Sequence, residues 1–428
     1  MISNQILQTT IEGLKGITRV DFCICDTWRG NQMIKIKNKE KCSGCTACVS
    51  ICPKNCIIMQ PDDEGFLYPK VNRDCCIQCG ACERVCPILT PIKETPFEQK
   101  AFLVQHKDET VRLDSSAGGA FTAIATAILN RGGVVFGAAY DENFQVYHTY
   151  VENIEDLKKF RNSKYVQSQI GNCFRKVREF LKQGQWVCFS GTPCQIEGLS
   201  KYIGINNEKL LLVDVVCHGV PSPLVWNKYL EHYDFKENKP DNIRFRDKYY
   251  GYKYSTMSVI RNGENVYHAG SQLDPMLRAF FADTCDRPSC YSCPFKKRYR
   301  VSDITIWDCF SVYDFDKNMD DDKGTTRVLC HSDKGKKFVE EMKEVALCKE
   351  VLADKLVAGV KEMYESVSEN SKRSQFMNDA KTLSGDVLFD KYYPVTAKVK
   401  IKTMVRKTLL ITGIYSMAKK CLNRVRGR

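Results

Sequence analysis

The middle of the chain alternates short apolar runs with stretches of helical periodicity, and glycine or proline marks most of the joins. Residues 101–106 read as a strand, Ser115-Ser116-Ala117-Gly118-Gly119 as a turn, and the small and apolar residues after it as a helix ending at Gly132-Gly133. Residues 134–140, 186–190, 210–216 and 303–308 read as further strands, and helices are expected after Gly191-Thr192-Pro193 and after Pro223. Strand, turn, helix, strand is the signature of an α/β unit. Ahead of it, residues 57–59 and 66–69 read as short strands, and the Pro91 to Pro96 stretch as a stiff connector.

The ends of the chain read differently. Ile6, Leu7, Ile11, Leu14 and Ile17 fit one face of an amphipathic helix, and residues 20–25 a short strand. Met33 opens what looks like the natural beginning of a module, so residues 1–33 are set apart as an upstream extension. Residues 334–366 read as helices around a loop, and from about 370 the pattern turns polar, then basic and amphipathic.

A chain of 428 residues is long enough for about two or three domains with real cores. Its charge of +13 does not imply nucleic-acid binding. Ten of those charges lie between Lys398 and Arg428, where no acid follows Asp390, which leaves about +3 for the remainder. A basic, amphipathic end suits an anionic membrane surface or an acidic partner, or else a solvated terminal helix. No run of 18 apolar residues exists, so no membrane-spanning helix is expected. Twenty-three cysteines without a secretory signal favour a reducing, cytoplasmic setting and metal chemistry over a disulfide scaffold.

The spacing of eight of those cysteines is the strongest signal. Cys42, Cys45, Cys48 and Cys52, then Cys76, Cys79, Cys82 and Cys86, form two C-x2-C-x2-C-x3-C-P runs. That register is used for pairs of [4Fe–4S] clusters, with the fourth cysteine of each run serving the other cluster. Cys42, Cys45, Cys48 and Cys86 would hold one cluster, and Cys76, Cys79, Cys82 and Cys52 the second. Zinc knuckles and disulfides do not call for this register. Cys75 competes with Cys76, but only Cys76 keeps the spacing to Cys79. Cys56 is a further thiol beside the runs.

Downstream, Cys194 falls in the first turn of a helix, where free amides and the dipole favour thiolate, and Thr192 with Gln195 makes a capping-box pattern. Cys217-His218-Gly219 ends the next strand. Both cysteines thus lie at carboxyl ends of successive strands, the usual place for sites in open α/β sheets. Cys290-x2-Cys293-Pro294 resembles a metal-loop fragment, so Cys194, Cys217, Cys290 and Cys293 would make a third four-thiolate site. Cys285 is a rival for any of these places, and an ordinary buried thiol is the alternative for Cys194 or Cys217. At the turn, Ser115 and Ser116 can cap the helix while the Gly118 and Gly119 amides stay open to an anion such as a cofactor pyrophosphate. A well-capped helix packed closely on a sheet explains the same residues. No G-x-G-x-x-G or P-loop occurs.

With these residues in view, the chain resembles the coenzyme F420 hydrogenase/dehydrogenase beta-subunit family from about residue 33 to 345. The resemblance rests on the double ferredoxin runs, Ser115-Ser-Ala-Gly-Gly, Ser163-Lys-Tyr-Val-Gln-Ser, Ser190-Gly-Thr-Pro-Cys-Gln, Val216-Cys-His-Gly-Val-Pro-Ser-Pro, the Arg287 to Lys296 segment and Ser302-Asp-Ile-Thr-Ile-Trp-Asp. It implies an α+β ferredoxin-like two-cluster module at 34–92. An α/β flavin-binding domain at 93–345 and a helical region with a basic C-terminal tail at 346–428 would follow. It also implies FAD, with Ser115, Ser116, Gly118, Gly119, Lys164, Tyr165, Gly191 and Thr192 as contacts, and it favours Cys194, Cys217, Cys290 and Cys293 as ligands of a third [4Fe–4S] cluster. Trp307-Asp308-Cys309 departs from the family's glycine, aspartate and aromatic pattern. The expected activity is electron passage between the clusters, FAD and an organic acceptor or donor. Non-catalytic electron transfer to a partner enzyme, or a zinc-bearing interaction protein, would be the alternatives. His218 would relay a proton or bond to the cluster or flavin from outside. A ferredoxin, deazaflavin or nicotinamide donor is the expected redox partner. Relatives in surface-polysaccharide gene sets would suit a tail at the inner face of the membrane.

Overall fold

The computed structural model describes residues 33–204, 207–235, 237–412 and 414. The amphipathic helix and strand expected before Met33, with Cys23 and Cys25, fall outside these residues, as do Cys421 and the cations from Lys419 onward.

Two short strands, β1 (Ile57–Pro61) and β2 (Leu67–Val71), pair antiparallel between the two cysteine loops. Each cysteine run ends in a single helical turn, Ala47–Ile51 and Ala81–Arg84, entered through a left-handed residue, Thr46 and Gly80 respectively. The rest is built on one eight-stranded mixed sheet. Its strands are β3 (Lys100–His106), β4 (Val134–Tyr140), β5 (Val146–Val151), β6 (Val187–Gly191) and β7 (Leu210–Val215). A separate antiparallel sheet holds β8 (Asn242–Asp247), β9 (Thr256–Arg261) and β10 (Glu264–Gly270). The large sheet then resumes with β11 (Ile304–Asp308), β12 (Thr326–Cys330) and β13 (Ala346–Val351). The order across the large sheet is β13-β3-β12-β11-β7-β6-β4-β5.

Strands β4, β6, β7 and β11 run parallel, and antiparallel partners flank them on both sides. The parallel strands are nearly continuous apolar runs because helices cover both faces. On one face the helix Ala120–Leu129 packs Ile124 and Ile128 against Val135, Cys188 and Leu211. On the other, Phe174, Ile196 and Leu199 pack against Phe136 and Phe189, and Cys45 and Ala47 of the first cysteine loop join that same core.

Two sequence expectations need correction. The large sheet does not end at residue 345, since β13 pairs antiparallel with β3 along its whole length. Residues 346–351 were hard to read as a strand because they form a sheet edge with exposed Leu347 and charged Lys349 and Glu350, which blunt the open edge. The helices Arg373–Thr382 and Gly385–Tyr392 are also no separate helical region. They pack Phe376, Leu388 and Phe389 on Trp226 and Tyr229 beside the β8–β10 sheet.

The cysteine module is fastened to this body through polar contacts. Arg175 donates to the carbonyls of Ser50 and Val49, Gln167 Oε1 accepts from Leu67 N at 3.0 Å, and Arg373 forms a two-pronged pair with Glu64. A Cβ placed at Gly198 would lie 2.9 Å from Cys45 Sγ, so the helix Pro193–Ile203 meets the cysteine loop at bare backbone. The Arg373 and Glu64 side chains are only 7% and 13% exposed. Arg373→Ala leaves Glu64 buried without a partner and is expected to cost about 3 kcal/mol. The check is the first unfolding transition in urea; an unchanged midpoint would mean the pair contributes nothing.

Candidate functional site

The carboxyl ends of β3, β4, β6, β7 and β11 share one rim of the large sheet. Ser190 and Gly191 of β6 pair with Val213 and Asp214 of β7. Cys194 and Cys217 therefore emerge side by side. Thr192 caps the helix Pro193–Ile203 through the expected capping box, with its N–H donating to Gln195 Oε1 at 2.9 Å. Cys290 and Cys293 arrive on the turn Pro288–Ser292. The four sulfurs act on one another electrostatically in every pairing. Burial, opposed by the Thr192 hydroxyl, pushes the Cys194 thiol up to about 11, and burial pushes that of Cys217 up to about 12. The helix dipole at Cys194 is thus outweighed, contrary to the sequence expectation of a ready thiolate. Cys285 is not part of this set. It is fully buried in the core beneath the β8–β10 sheet, among apolar residues.

The eight cysteines of the module fall into two further groups. Cys42, Cys45, Cys48 and Cys86 face one another in every pairing, and burial lifts the Cys45, Cys48 and Cys86 thiols. Cys52, Cys76, Cys79 and Cys82 line one pocket, together with Cys56, whose sulfur is 3.3 Å from that of Cys52. Cys75 is exposed, and its thiol points to the Asn72 carbonyl at 3.7 Å, away from the pocket. The three groups adjoin in series: Cys48 feels Cys82, and Cys45 feels Cys194.

The donor chemistry suits iron–sulfur clusters. All twelve of these cysteines are free thiols. No three of their sulfurs lie within 4.8 Å of one another. A tetrahedral zinc with bonds near 2.3 Å would draw four sulfurs to about 3.8 Å. A cubane takes each thiolate on a separate iron and needs the wider spacing.

The glycine turn is occupied by its own scaffold. Ser115 Oγ donates to the Val111 carbonyl, closing the short helix Glu109–Asp114, and Ser116 Oγ meets Ser163 Oγ at 2.9 Å and accepts from Ser163 N. Neither serine caps the helix Ala120–Leu129, whose N-cap is Gly119 in the left-handed region. Gly118 N donates to Thr326 Oγ1 at 2.8 Å and is closed to an anion, and a Cβ there would sit 2.1 Å from the Val104 carbonyl. Close packing of turn on sheet is what these residues achieve. Lys248 holds the turn from the other side, donating to the carbonyls of Ala117, Arg112 and Lys323.

A flavin finds a partial fit nearby. Lys164 and Ser163 line an open cleft of ≈ 360 Å³ beyond the end of β4, with Lys158, Lys159, Arg161, Lys239 and Arg244 set against Asp114, Asp141, Glu142 and Asp241. Tyr140 Oη, Arg161 Nε and Arg244 Nε are buried there without partners, as a polar ligand would require. Burial lowers the Lys164 ammonium to about 7, with its hydrogen bonds going to the Arg161 and Asn162 carbonyls. Tyr165 packs on Phe280 with ring centroids 4.7 Å apart, and its hydroxyl accepts from Arg246. Gly191 and Thr192 lie instead beside Cys194.

The pairing of Arg246 with Asp308 was not foreseen from sequence, which had named Asp308 alone. Arg246, 7% exposed, bonds Asp308 through both terminal nitrogens at 3.0 Å, and Tyr252 Oη donates to the same carboxylate at 3.1 Å. The alternation of Arg246, Lys248 and aromatic residues over 245–254 was the available clue. His218 Nε2 bonds Asp283 Oδ1 at 2.8 Å, and its ring meets Phe280 edge-on.

Such a site defines an iron–sulfur electron-transfer protein. Residues 41–88 match the 4Fe-4S dicluster domain family, and residues 184–354 match the family described as the C terminus of the coenzyme F420 hydrogenase/dehydrogenase beta subunit. The resemblance drawn from the motifs therefore holds over these two segments, an iron–sulfur dicluster domain and a region related to the C terminus of those beta subunits. The Ser115 and Ser163 motifs lie outside both matched segments. No curated protein matches the chain. Among solved structures, a chain of the F420-reducing [NiFe] hydrogenase complex from Methanosarcina barkeri aligns over 70% of this chain and 94% of its own, at 17% identity and a TM-score of 0.42.

The closure of Gly118 carries a prediction. Gly118→Ala is expected to destabilise the fold by about 1–3 kcal/mol through overpacking. Urea unfolding checks it, and an unchanged midpoint would contradict the tight packing at Val104.

Proposed function

We propose that this chain carries electrons through three [4Fe–4S] clusters to or from a flavin site that serves an organic acceptor or donor. The observation that carries the reading is the succession of three four-thiol groups. It runs from the pocket edged by exposed Cys79, through the Cys42 group, to the Cys194 group at the rim of the sheet. Cys76, Cys79, Cys82 and Cys52 would hold the outermost cluster, Cys42, Cys45, Cys48 and Cys86 the middle one, and Cys194, Cys217, Cys290 and Cys293 the innermost. Clusters supply one-electron transfer and FAD supplies two-electron hydride chemistry when bound. Lys164, Ser163 and the arginines of the cleft would bind the anionic part of FAD, while Tyr165, next in the chain, is turned to Phe280 with its hydroxyl held by Arg246. His218 stands next to Cys217 and is the imidazole placed to hold a proton at the rim. A redox partner protein would dock where Cys79 is exposed.

Anaerobically purified protein is expected to hold about twelve iron atoms, with a flavin. Cys290→Ala should remove about four of those irons and leave the signals of the two ferredoxin clusters intact, whereas Cys285→Ala should remove none. Colourless, zinc-bearing protein would overturn the redox reading, and about eight irons in the unaltered protein would remove the innermost cluster.

A second reading concerns the tail. The helix Ala397–Ile411 exposes Ile401, Met404 and Val405, and its sequence carries Lys398 and Lys400. No helix among the described residues is long and apolar enough to cross a membrane. Surface attachment to anionic lipid would use these residues, in keeping with a role near surface-polysaccharide synthesis. Truncation after Tyr393 should abolish sedimentation with phosphatidylserine vesicles; equal sedimentation would dispose of the attachment.

A further inference from the structure

Beside the innermost thiol group lies a set of ligand atoms whose two carboxylates the redox reading leaves without a role. His218, Asp283 and Asp286 each offer one atom, and all lie within 4.8 Å of one another. They are the one such group of three or more His, Cys, Asp and Glu ligand atoms among the described residues.

Asp286 is the informative member. It is 0% exposed, and apart from a carboxyl–carboxyl contact with Asp283 neither of its side-chain oxygens has a hydrogen-bond partner. Burial disfavours its charge, and a second carboxylate, Asp283, adds to that. The two cations close by are engaged elsewhere. Lys296 Nζ donates to the carbonyls of Cys217, His218 and Glu362. The Arg373 guanidinium goes to Glu64, Tyr291 and the backbone carbonyl of Asp286. Gly219 makes room for the carboxylate, since a Cβ there would lie 2.6 Å from Asp286 Oδ1. The backbone is therefore shaped to seat a buried carboxyl group to which no cation among the described residues bonds directly. Proteins resolve that arrangement by protonating the acid, with a counter-charge or with a coordinated metal, and an imidazole and a second carboxylate within reach suit the metal.

We propose that His218, Asp283 and Asp286 bind one divalent cation of the manganese-to-zinc series. One imidazole and two carboxylates suit those ions, whereas calcium and magnesium prefer oxygen alone. Asp283 and His218 retain 22% and 25% side-chain exposure, which gives the ion an entry, and Asp286 closes the site from below. The ion would tie the 217–219 loop to the 283–290 segment, and those segments carry Cys217 and Cys290. It would hold the mouth of the thiol group together and offset its negative charge.

The test uses tag-free, full-length protein purified anaerobically with its clusters and treated briefly with chelator. Manganese(II) is then titrated, and the free ion is counted by electron paramagnetic resonance. One tightly bound manganese per chain is expected, displaced by zinc. Asp286→Asn and Asp283→Asn should each weaken binding at least tenfold. Iron and sulfide, measured on the same samples, report the clusters independently. Should Asp286→Asn lose iron or fail to fold, His218→Gln at the exposed edge must show the same weakening. Absence of stoichiometric uptake by the unaltered protein, or uptake indifferent to the substitutions that fold, overturns the site.

Discussion

Arg287 sets the geometry on which the rest depends. Its side chain is buried to 1% exposure, between the first cysteine loop and the turn that carries Cys290. Its Nε donates to the Cys42 carbonyl at 2.8 Å, one terminal nitrogen donates to the Leu67 carbonyl at 3.0 Å, and the guanidinium lies over the Tyr68 ring at 4.2 Å. A planar, permanently charged fork can satisfy two carbonyls and a ring at once, which an ammonium cannot. The small module and the large sheet thereby share one register. Because the backbone of Cys42 is held from the Cys290 side, the two thiol groups cannot drift apart without breaking a charged hydrogen bond in a dry place.

Burial governs the chemistry of the thiols as well. The sulfurs of the innermost group keep their protons at neutral pH because charge is disfavoured in the interior and each sulfur adds to the penalty of the next. Iron must displace those protons to bind, so assembly of the fold and loading of metal are one coupled equilibrium. Without metal the protein would carry a set of protonated thiols gathered at the end of the sheet. A bound cluster, as proposed, would give those residues a reason to be together.

Much of this was legible in the chain. Fixed spacing revealed the ferredoxin thiols because ligand geometry leaves few alternatives, and Cys194 and Cys217 were legible from strand ends. What escaped were features assembled from distant segments. Asp286 pairs with no motif and is defined only by what surrounds it. Arg246 and Asp308, sixty-two residues apart, meet only once β8 and β11 are placed. The Ser115 to Gly119 turn was ambiguous because the same small residues serve either a ligand or a tight seat on a sheet, and only the Thr326 hydroxyl decides for Gly118. Strand β13 was missed because an edge strand carries charge where a central strand carries valine.

Exposure is unequal along the row of thiols. Cys79 lies open at the surface, while at the other end Cys290 is buried and Cys194, Cys217 and Cys293 are half-buried. An opening that admits a partner's electron also admits dioxygen and peroxide, and thiolate-held iron is most readily attacked where solvent reaches it. Damage would therefore begin at the outer pocket, the one that also holds a fifth sulfur, Cys56. The inner groups would outlast it, so an oxidised molecule would fail first as a receiver of electrons while keeping its interior intact, and repair would need to reach only the accessible end.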